Sequence, residues 1–192
     1  INTGRLGFIS SISADQIDDA ITDILKVNYT INERTLLELS TDKKLFKDKN
    51  FALNEVAVSK KDTSSMIRID AFVDDEFLNT YWADGLVVST PTGSTGYSLS
   101  CGGPIIMPGT NNIIITPNAP HNLNVRPIVI DDNSVVKLKV EDRDQLALVS
   151  LDSRSRAFDS DTELIIKKAD FKIKLIQPQN NSFTATIRHK LM

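Results

Sequence analysis

Hydrophobic and polar residues alternate along most of the chain after residue 29, with a period of two that is typical of β-strands with one buried face. In the clearest segment, 66–73, every second residue from Ile67 to Val73 is apolar. Strands are predicted on this basis at 33–40, 51–59, 66–73, 86–89, 112–116, 135–140 and 146–151. Residues 163–176 are predicted to form two further strands. Successive strands joined by short turns predict a layered, sandwich-like β-domain.

One stretch before these strands has helical periodicity instead. Residues 13–28 carry apolar side chains on one helical face, at Ile17, Ile21, Ile24 and Leu25. Ser13 and Gln16 fit a capping box at the start of this segment. The predicted fold class is therefore mainly β, of the α+β type, with one clear N-terminal helix that we assign to packing.

Composition narrows the class of protein further. Hydrophobic residues make up 41% of the 192 residues and charged residues 24%, which is ordinary for a globular protein. The net charge of −3 gives no reason to expect a nucleic-acid partner. No apolar run approaches the roughly 20 residues that span a bilayer, so no membrane partner is expected. The single cysteine, Cys101, excludes an internal disulfide framework and fits a cytoplasmic location.

The segment after the predicted strand 86–89 is unusually rich in hydroxyl groups. Residues 89–100 contain seven Ser or Thr, two Gly, one Pro and one Tyr, and no charged side chain. Because a buried hydroxyl needs a hydrogen-bond partner, we expect water or a polar ligand to supply partners here. Small hydroxyl side chains next to glycines suit a ligand with many oxygens, such as a ribose or a phosphate. A Ser/Thr-rich surface turn is the alternative.

A polar pair, Asn54 and Glu55, interrupts the otherwise apolar predicted strand 51–59. Such a break in pattern often marks a functional site. An Asn side chain presents a donor and an acceptor that match the edge of an adenine, and an ionised Glu accepts hydrogen bonds from the hydroxyls of a ribose. The alternative is a turn in which Asn54 bonds its own backbone. We expect the pair and the hydroxyl-rich segment to converge on one dinucleotide.

Three segments resemble signatures of the NAD kinase family. Residues 84–103 resemble D-G-x-x-x-S-T-P-T-G-S-T-A-Y-x-x-S-x-G-G, and Asn54-Glu55 matches the N-E motif upstream of it. Residues 2–9 are similar to the segment N-T-G-x-L-G-F-L, which joins the two domains of the family. The chain departs from the family pattern at three positions, with Gly96 in place of Ala, Trp82 in place of Arg and Arg154 in place of Gln. On these residues the chain is identified as a member of the family.

The resemblance implies that residues 1–192 form the C-terminal, NAD-binding domain of such an enzyme. The family's first domain binds ATP and carries a G-G-D-G-T motif whose Asp is the general base. No Gly-Gly-Asp-Gly occurs here, so that catalytic domain is expected upstream of this chain, and the chain alone is expected to be inactive. The implied reaction transfers a phosphoryl group from ATP, or another donor, to the 2′-hydroxyl of the adenosine ribose of NAD, giving NADP.

The resemblance also implies a set of binding residues and partners. The NAD-binding residues would be Asn54, Glu55, Asp84, Thr92, Thr95, Gly96, Tyr97, Ser98, Leu99, Ser100 and Arg154. No catalytic residue and no metal ligand is assigned to this chain. ATP, Mg²⁺ or another divalent cation, and a homodimer or homotetramer are expected. The alternatives are a non-catalytic nucleotide-binding or regulatory domain on the same scaffold, a diacylglycerol-type lipid kinase, and a β-rich interaction module.

Overall fold

Two antiparallel six-stranded sheets form the body of the structure, a computed structural model that describes residues 8–9, 12–61, 65–141, 146–178 and 182–191. The strands are β1 (Tyr29–Ser40), β2 (Phe51–Ala52), β3 (Glu55–Lys60), β4 (Ile67–Val73), β5 (Glu76–Ala83), β6 (Gly85–Ser89), β7 (Asn112–Asn118), β8 (Ile128–Asp131), β9 (Val136–Glu141), β10 (Leu146–Leu151), β11 (Arg154–Asp159) and β12 (Leu164–Pro178). The first sheet has the order β2-β1-β12-β9-β4-β5, and the second has the order β11-β10-β3-β6-β7-β8.

One hydrophobic core joins the two sheets. It contains Leu37 and Ile69 of the first sheet together with Val56, Leu86 and Ile113 of the second. The alternation predicted for 66–73 is confirmed, because Ile67, Ile69 and Ala71 of β4 are fully buried in this core and the residues between them are only partly buried. The layered, mainly β class predicted from the sequence is therefore correct.

The predicted N-terminal helix is present but shorter than its pattern. A 3₁₀ turn, Ala14–Gln16, leads into helix α1 (Ile17–Leu25), and Val27 ends it with a φ of 57°. The backbone N–H of Ser13 donates to Gln16 Oε1 at 3.2 Å, as a capping box requires. Among the residues of α1 only Ala20 is buried within the described structure. The predicted packing face, with Leu25 78% exposed, is therefore not covered.

The predicted strand 51–59 is wrong as a continuous element. The chain leaves the first sheet after β2 and enters the second sheet with β3, so Leu53 and Asn54 form the crossing between the two layers. The two strands predicted within 163–176 are instead the single strand β12. Its register against β1 shifts between Thr35 and Leu37, which is a β-bulge rather than a break.

Two further helices complete the described elements. Helix α2 (Tyr97–Ser100) follows a 3₁₀ turn, Gly93–Thr95, at the end of β6. Helix α3 (Phe183–Leu191) follows β12 near the end of the chain. All five residues of β6 are buried, so the loop between β6 and α2 starts from a fixed point in the core.

Candidate functional site

The polar pair and the hydroxyl-rich segment lie side by side. Strands β3 and β6 pair antiparallel with Glu55 opposite Ser89, so the start of β3 adjoins the end of β6. The Asn54 carbonyl accepts a hydrogen bond from the Thr90 N–H at 2.9 Å. The Thr90 hydroxyl donates to the Leu53 carbonyl at 2.7 Å. The two segments that the sequence predicts to meet are therefore adjacent in the fold, and their shared binding of a dinucleotide stays a prediction.

Gly93 allows this close approach. A Cβ atom built on Gly93 would lie 2.0 Å from the carbonyl oxygen of Asn54 and 2.8 Å from its Cα, far inside van der Waals contact. At Gly96 a Cβ would lie 3.3 Å from the Gly93 carbonyl oxygen and 3.4 Å from Glu55 Oε2. The alanine that the family commonly has in place of Gly96 would therefore fit with little adjustment. No side chain fits in place of Gly93.

Asp152 holds the crossing segment in place. Its Oδ1 accepts hydrogen bonds from the backbone N–H groups of Asn54 at 2.7 Å and of Glu55 at 3.3 Å. Its Oδ2 accepts from the Leu53 N–H at 2.9 Å. The Asp152 N–H in turn donates to the Glu55 carbonyl at 3.1 Å. Where the chain passes between the sheets, the Asp152 carboxylate therefore accepts the backbone hydrogen bonds that a neighbouring strand would otherwise accept. This role was not predicted from the sequence.

The Glu55 carboxyl group is the most perturbed titratable group of the site. Its Oε2 is buried without a hydrogen-bond partner. Burial, followed by the negative charge of Asp152, raises its pKa from 4.5 to about 7, against an opposing hydrogen bond from the Tyr97 backbone. An unpartnered buried oxygen is unfavourable unless a ligand donates to it. Glu55 is therefore the strongest candidate for a ligand contact.

A second cluster lies at the other end of β3 and β6. The Asp84 carboxylate pairs with Lys60 Nζ at 2.7 Å, and the Asp84 N–H donates to the Asn118 carbonyl at 3.0 Å. The Asn118 side chain donates to the Tyr97 hydroxyl at 2.9 Å. Lys60 and Asn118 were not named from the sequence, because only the sheet register, with Asn118 opposite Gly85, brings them beside the motif.

Several hydroxyl groups of the loop are satisfied inside the protein, contrary to the expectation that a ligand or water would be needed. The Ser94 hydroxyl donates to the Pro91 carbonyl at 2.7 Å and accepts from the Ile106 N–H at 3.0 Å. The Ser98 hydroxyl, which is fully buried, bonds the Thr116 hydroxyl at 2.9 Å. These hydroxyls, like that of Thr90, shape the loop. The contact between Ser98 and NAD stays a prediction. The hydroxyl group of Ser98 already has a hydrogen-bond partner inside the protein.

The other predicted binding residues differ in accessibility. Thr92 is buried, Thr95 and Leu99 are partly buried, and Gly96 and Ser100 are exposed. Arg154 is turned toward the backbone, because its guanidinium donates to the carbonyls of Lys49, at 2.6 Å, and Phe51. It also lies 5.7 Å from the Phe51 ring centroid. Arg154 therefore anchors the segment before the crossing, and its contact with NAD stays a prediction.

The described ranges contain neither a cluster of metal-binding side chains nor a helix that could span a membrane. No three His, Cys, Asp or Glu side chains there are grouped so that they could hold a metal ion. None of the helices that the structure describes has the length and hydrophobicity to cross a bilayer. Residues 2–7 of the segment N-T-G-x-L-G-F-L lie outside the described residues.

The fold places the chain in the class of two-sheet β-domains found in solved NAD and NADH kinases. It is similar to a solved yeast NADH kinase complexed with NADH, with a TM-score of 0.88 and 27% identity, over 98% of this chain and 56% of that one. It is also similar to an NAD kinase from Archaeoglobus fulgidus in complex with ATP, with a TM-score of 0.81 and 26% identity, over 99% of this chain and 71% of that one.

The chain belongs to the ATP-NAD kinase C-terminal domain family, whose model matches residues 53–178. It is 51% identical over 191 residues to an NAD kinase from Cytophaga hutchinsonii and 52% identical over 194 residues to one from Flavobacterium psychrophilum. These alignments cover the whole of this chain. They cover 65% of the first relative and 66% of the second. The chain thus spans about two thirds of the length of its relatives, and the family predicted from the sequence is confirmed.

Proposed function

We propose that the chain is the NAD-binding domain of an NAD kinase, which transfers the terminal phosphoryl group of ATP, or of another donor, to the 2′-hydroxyl of the adenosine ribose of NAD. In this reaction the bond between the terminal phosphorus and its bridging oxygen breaks, and a bond from phosphorus to the 2′-oxygen forms. The proton of that hydroxyl leaves to a base, to which we assign no residue of this chain. Phosphoryl transfer depends mainly on positioning and charge stabilisation.

The observation that carries this proposal is the unpartnered Oε2 of Glu55, buried beside Asn54 and the loop between β6 and α2. A ribose hydroxyl that donates to this oxygen would remove its desolvation penalty. The amide of Asn54, the residue before Glu55, would bond the edge of the adenine. The Tyr97–Asn118 and Asp84–Lys60 pairs would then contact the more distant half of the dinucleotide.

ATP, a divalent cation and further copies of the protein are the expected partners of this domain. The A. fulgidus relative was solved with ATP, which supports ATP as the donor. The described residues do not group three metal ligands, so we assign no residue here to Mg²⁺ or another divalent cation. A cytoplasmic location and a homo-oligomeric assembly complete the proposal. The free thiol of Cys101 is consistent with the location.

The activity test uses the complete gene product with ATP, magnesium and NAD, and measures NADP. We expect NADP formation, and a loss of at least about tenfold in kcat/KM for Glu55→Gln, since a hydrogen bond to a charged group is worth about 1.5 to 3 kcal/mol. The exposed Glu76→Gln is the matched control. NAD binding without turnover would favour the regulatory alternative, and phosphorylation of a lipid in preference to NAD would favour the lipid kinase.

NAD binding is expected to depend on pH through Glu55. Its pKa of about 7 means that the carboxylate form, which accepts hydrogen bonds from a ribose, becomes dominant only above that pH. Affinity measured by calorimetry should therefore rise as the pH increases through about 7 and level off above it. Glu55→Gln should bind more weakly and without this rise. An unchanged pH profile in Glu55→Gln would contradict the assignment.

The same shift has a consequence for stability without ligand. The folded pKa of Glu55, about 7, lies above its ordinary value of 4.5, so folding favours the protonated form. The associated stabilisation is fully present below the unfolded pKa and is lost as the pH rises through the folded one. As the pH rises from 4.5 to about 7, wild type should therefore lose stability relative to Glu55→Gln, as measured by urea denaturation. A constant difference between the two proteins would contradict the raised pKa.

A further inference from the structure

Arg34, on β1, is a buried cation to which the described residues supply no counter-charge. The residue is 9% exposed, and its Nε is buried without a hydrogen-bond partner. None of the ion pairs found among the described residues involves its guanidinium. The neighbouring Glu33 does not neutralise it, because that carboxylate is bonded to Lys172 at 3.2 Å on the exposed side of the strand.

A guanidinium in this position requires compensation. Burial lowers the pKa of Arg34, yet an arginine side chain stays protonated at any pH at which proteins are folded. An uncompensated buried charge is strongly destabilising. Leu37 and Leu39, further along the same strand, show that apolar side chains fill its buried positions elsewhere. Packing alone therefore does not explain an arginine here.

Two cavities meet at Arg34. The larger, of about 140 Å³, has three polar side chains beside Arg34, those of Asn32, Gln177 and Thr186. The rest of its lining is apolar and consists of Phe8, Ile9, Met107, Pro108, Ile176 and Phe183. The volume of the larger cavity is well above the roughly 10 to 15 Å³ that one water molecule requires. The smaller, of about 30 Å³, is lined by Pro91 and Thr92 and also by the ion pair of Glu33 and Lys172. Arg34 thus lies directly behind the loop that carries the family signature.

We propose that Arg34 is the centre of an oxyanion-binding site that takes a carboxylate or a phosphate group in the larger cavity. The planar guanidinium presents paired N–H donors that match two oxygens of such a group. The group would supply the missing negative charge and accept a hydrogen bond from Nε. This site is separate from Glu55 and does not depend on the proposed function.

Two sources share this chemistry. One is a free anion such as inorganic phosphate. The other is a carboxylate from protein sequence beyond this chain, which spans 65% of a relative's length. The same substitutions test both sources, because each requires the guanidinium of Arg34.

The experiment measures the thermal midpoint of the chain as inorganic phosphate is titrated at constant ionic strength, with chloride as the exchanged salt. Phosphate at about ten times its Kd is expected to raise the midpoint of wild type by roughly 3 to 6 °C. Arg34→Met should abolish this rise, and Arg34→Lys should reduce it by at least half because the fork of donors is lost. The exposed Arg156→Met is the matched control and should respond like wild type.

Three outcomes distinguish a free anion, a protein carboxylate and the absence of an anion site at Arg34. A rise that depends on Arg34 in both the chain and the complete gene product identifies a free anion. A rise in the chain that is absent from the complete gene product, where Arg34→Met then lowers the midpoint, identifies a protein carboxylate. Equal responses of wild type and Arg34→Met, both folded by circular dichroism, overturn the site. Arg34→Met without phosphate should be as stable as wild type or more so, because it removes the uncompensated charge.

Discussion

Gly93→Ala is expected to lower the free energy of unfolding by about 3 kcal/mol or more and to abolish NAD binding, because the added Cβ overpacks a fixed backbone. The carbonyl oxygen of Asn54 would lie 2.0 Å from that Cβ. Asn54 cannot easily withdraw, since its N–H donates to Asp152 at 2.7 Å and its carbonyl accepts from Thr90 at 2.9 Å. The loop and the crossing segment would therefore separate.

Gly96→Ala is the matched control for this change. It adds the same methyl group to the same loop, but the nearest atoms to that Cβ would lie 3.3 and 3.4 Å away. We expect its urea midpoint and its NAD affinity to stay close to those of wild type. Equal stability of the two variants would show that the loop is not held against Asn54 in solution.

Asp152→Ala is expected to have the second largest effect, a loss of about 2 to 4 kcal/mol in the free energy of unfolding, since a buried donor left without a partner costs about 1 to 3 kcal/mol. The carboxylate accepts from the N–H groups of Leu53, Asn54 and Glu55. Removing it also removes a negative charge that raises the pKa of Glu55. The pH at which NAD binding strengthens should therefore fall.

Asp75→Ala controls for the backbone of this variant. Both residues have a positive φ, 52° at Asp152 and 68° at Asp75, so the conformational strain on alanine is similar. Within the described part of the chain, the Asp75 carboxylate bonds a single side chain, that of Lys137. Chemical denaturation should show a much smaller loss for Asp75→Ala. A loss of the same size in both would assign the effect at Asp152 to φ alone.

The sequence predicted the features of this protein that arise from local pattern. The burial of Ile67 and Ile69 follows from strand alternation, and the family follows from residues 84–103. The meeting of Asn54 with the loop was also predicted, because a polar pair in an apolar strand and a hydroxyl-rich segment after the next buried strand suit one ligand. Antiparallel pairing of β3 with β6 is the physical reason that this expectation was correct.

The remaining features depend on contacts between distant parts of the chain. Asp152 caps Asn54 from 98 positions away, and nothing near either residue indicates that pairing. The hydroxyl of Ser98 is satisfied by Thr116 on a strand that composition alone could not place beside it. Strand β12 was divided in the prediction because its alternation is interrupted at 169–171, where three residues of β12 stand opposite one residue of β1 and the register shifts without ending the strand.

Strand β12 also constrains how the protein is made. It pairs along nearly its whole length with β1, from Ile165 opposite Ser40 to Pro178 opposite Tyr29, and it joins β1 to β9 in the first sheet. During translation the ribosome must therefore release most of the chain before β1 finds its neighbour. Until then β1 and β9 each expose an unpaired edge to other nascent chains, so this domain is expected to fold slowly and to benefit from chaperones.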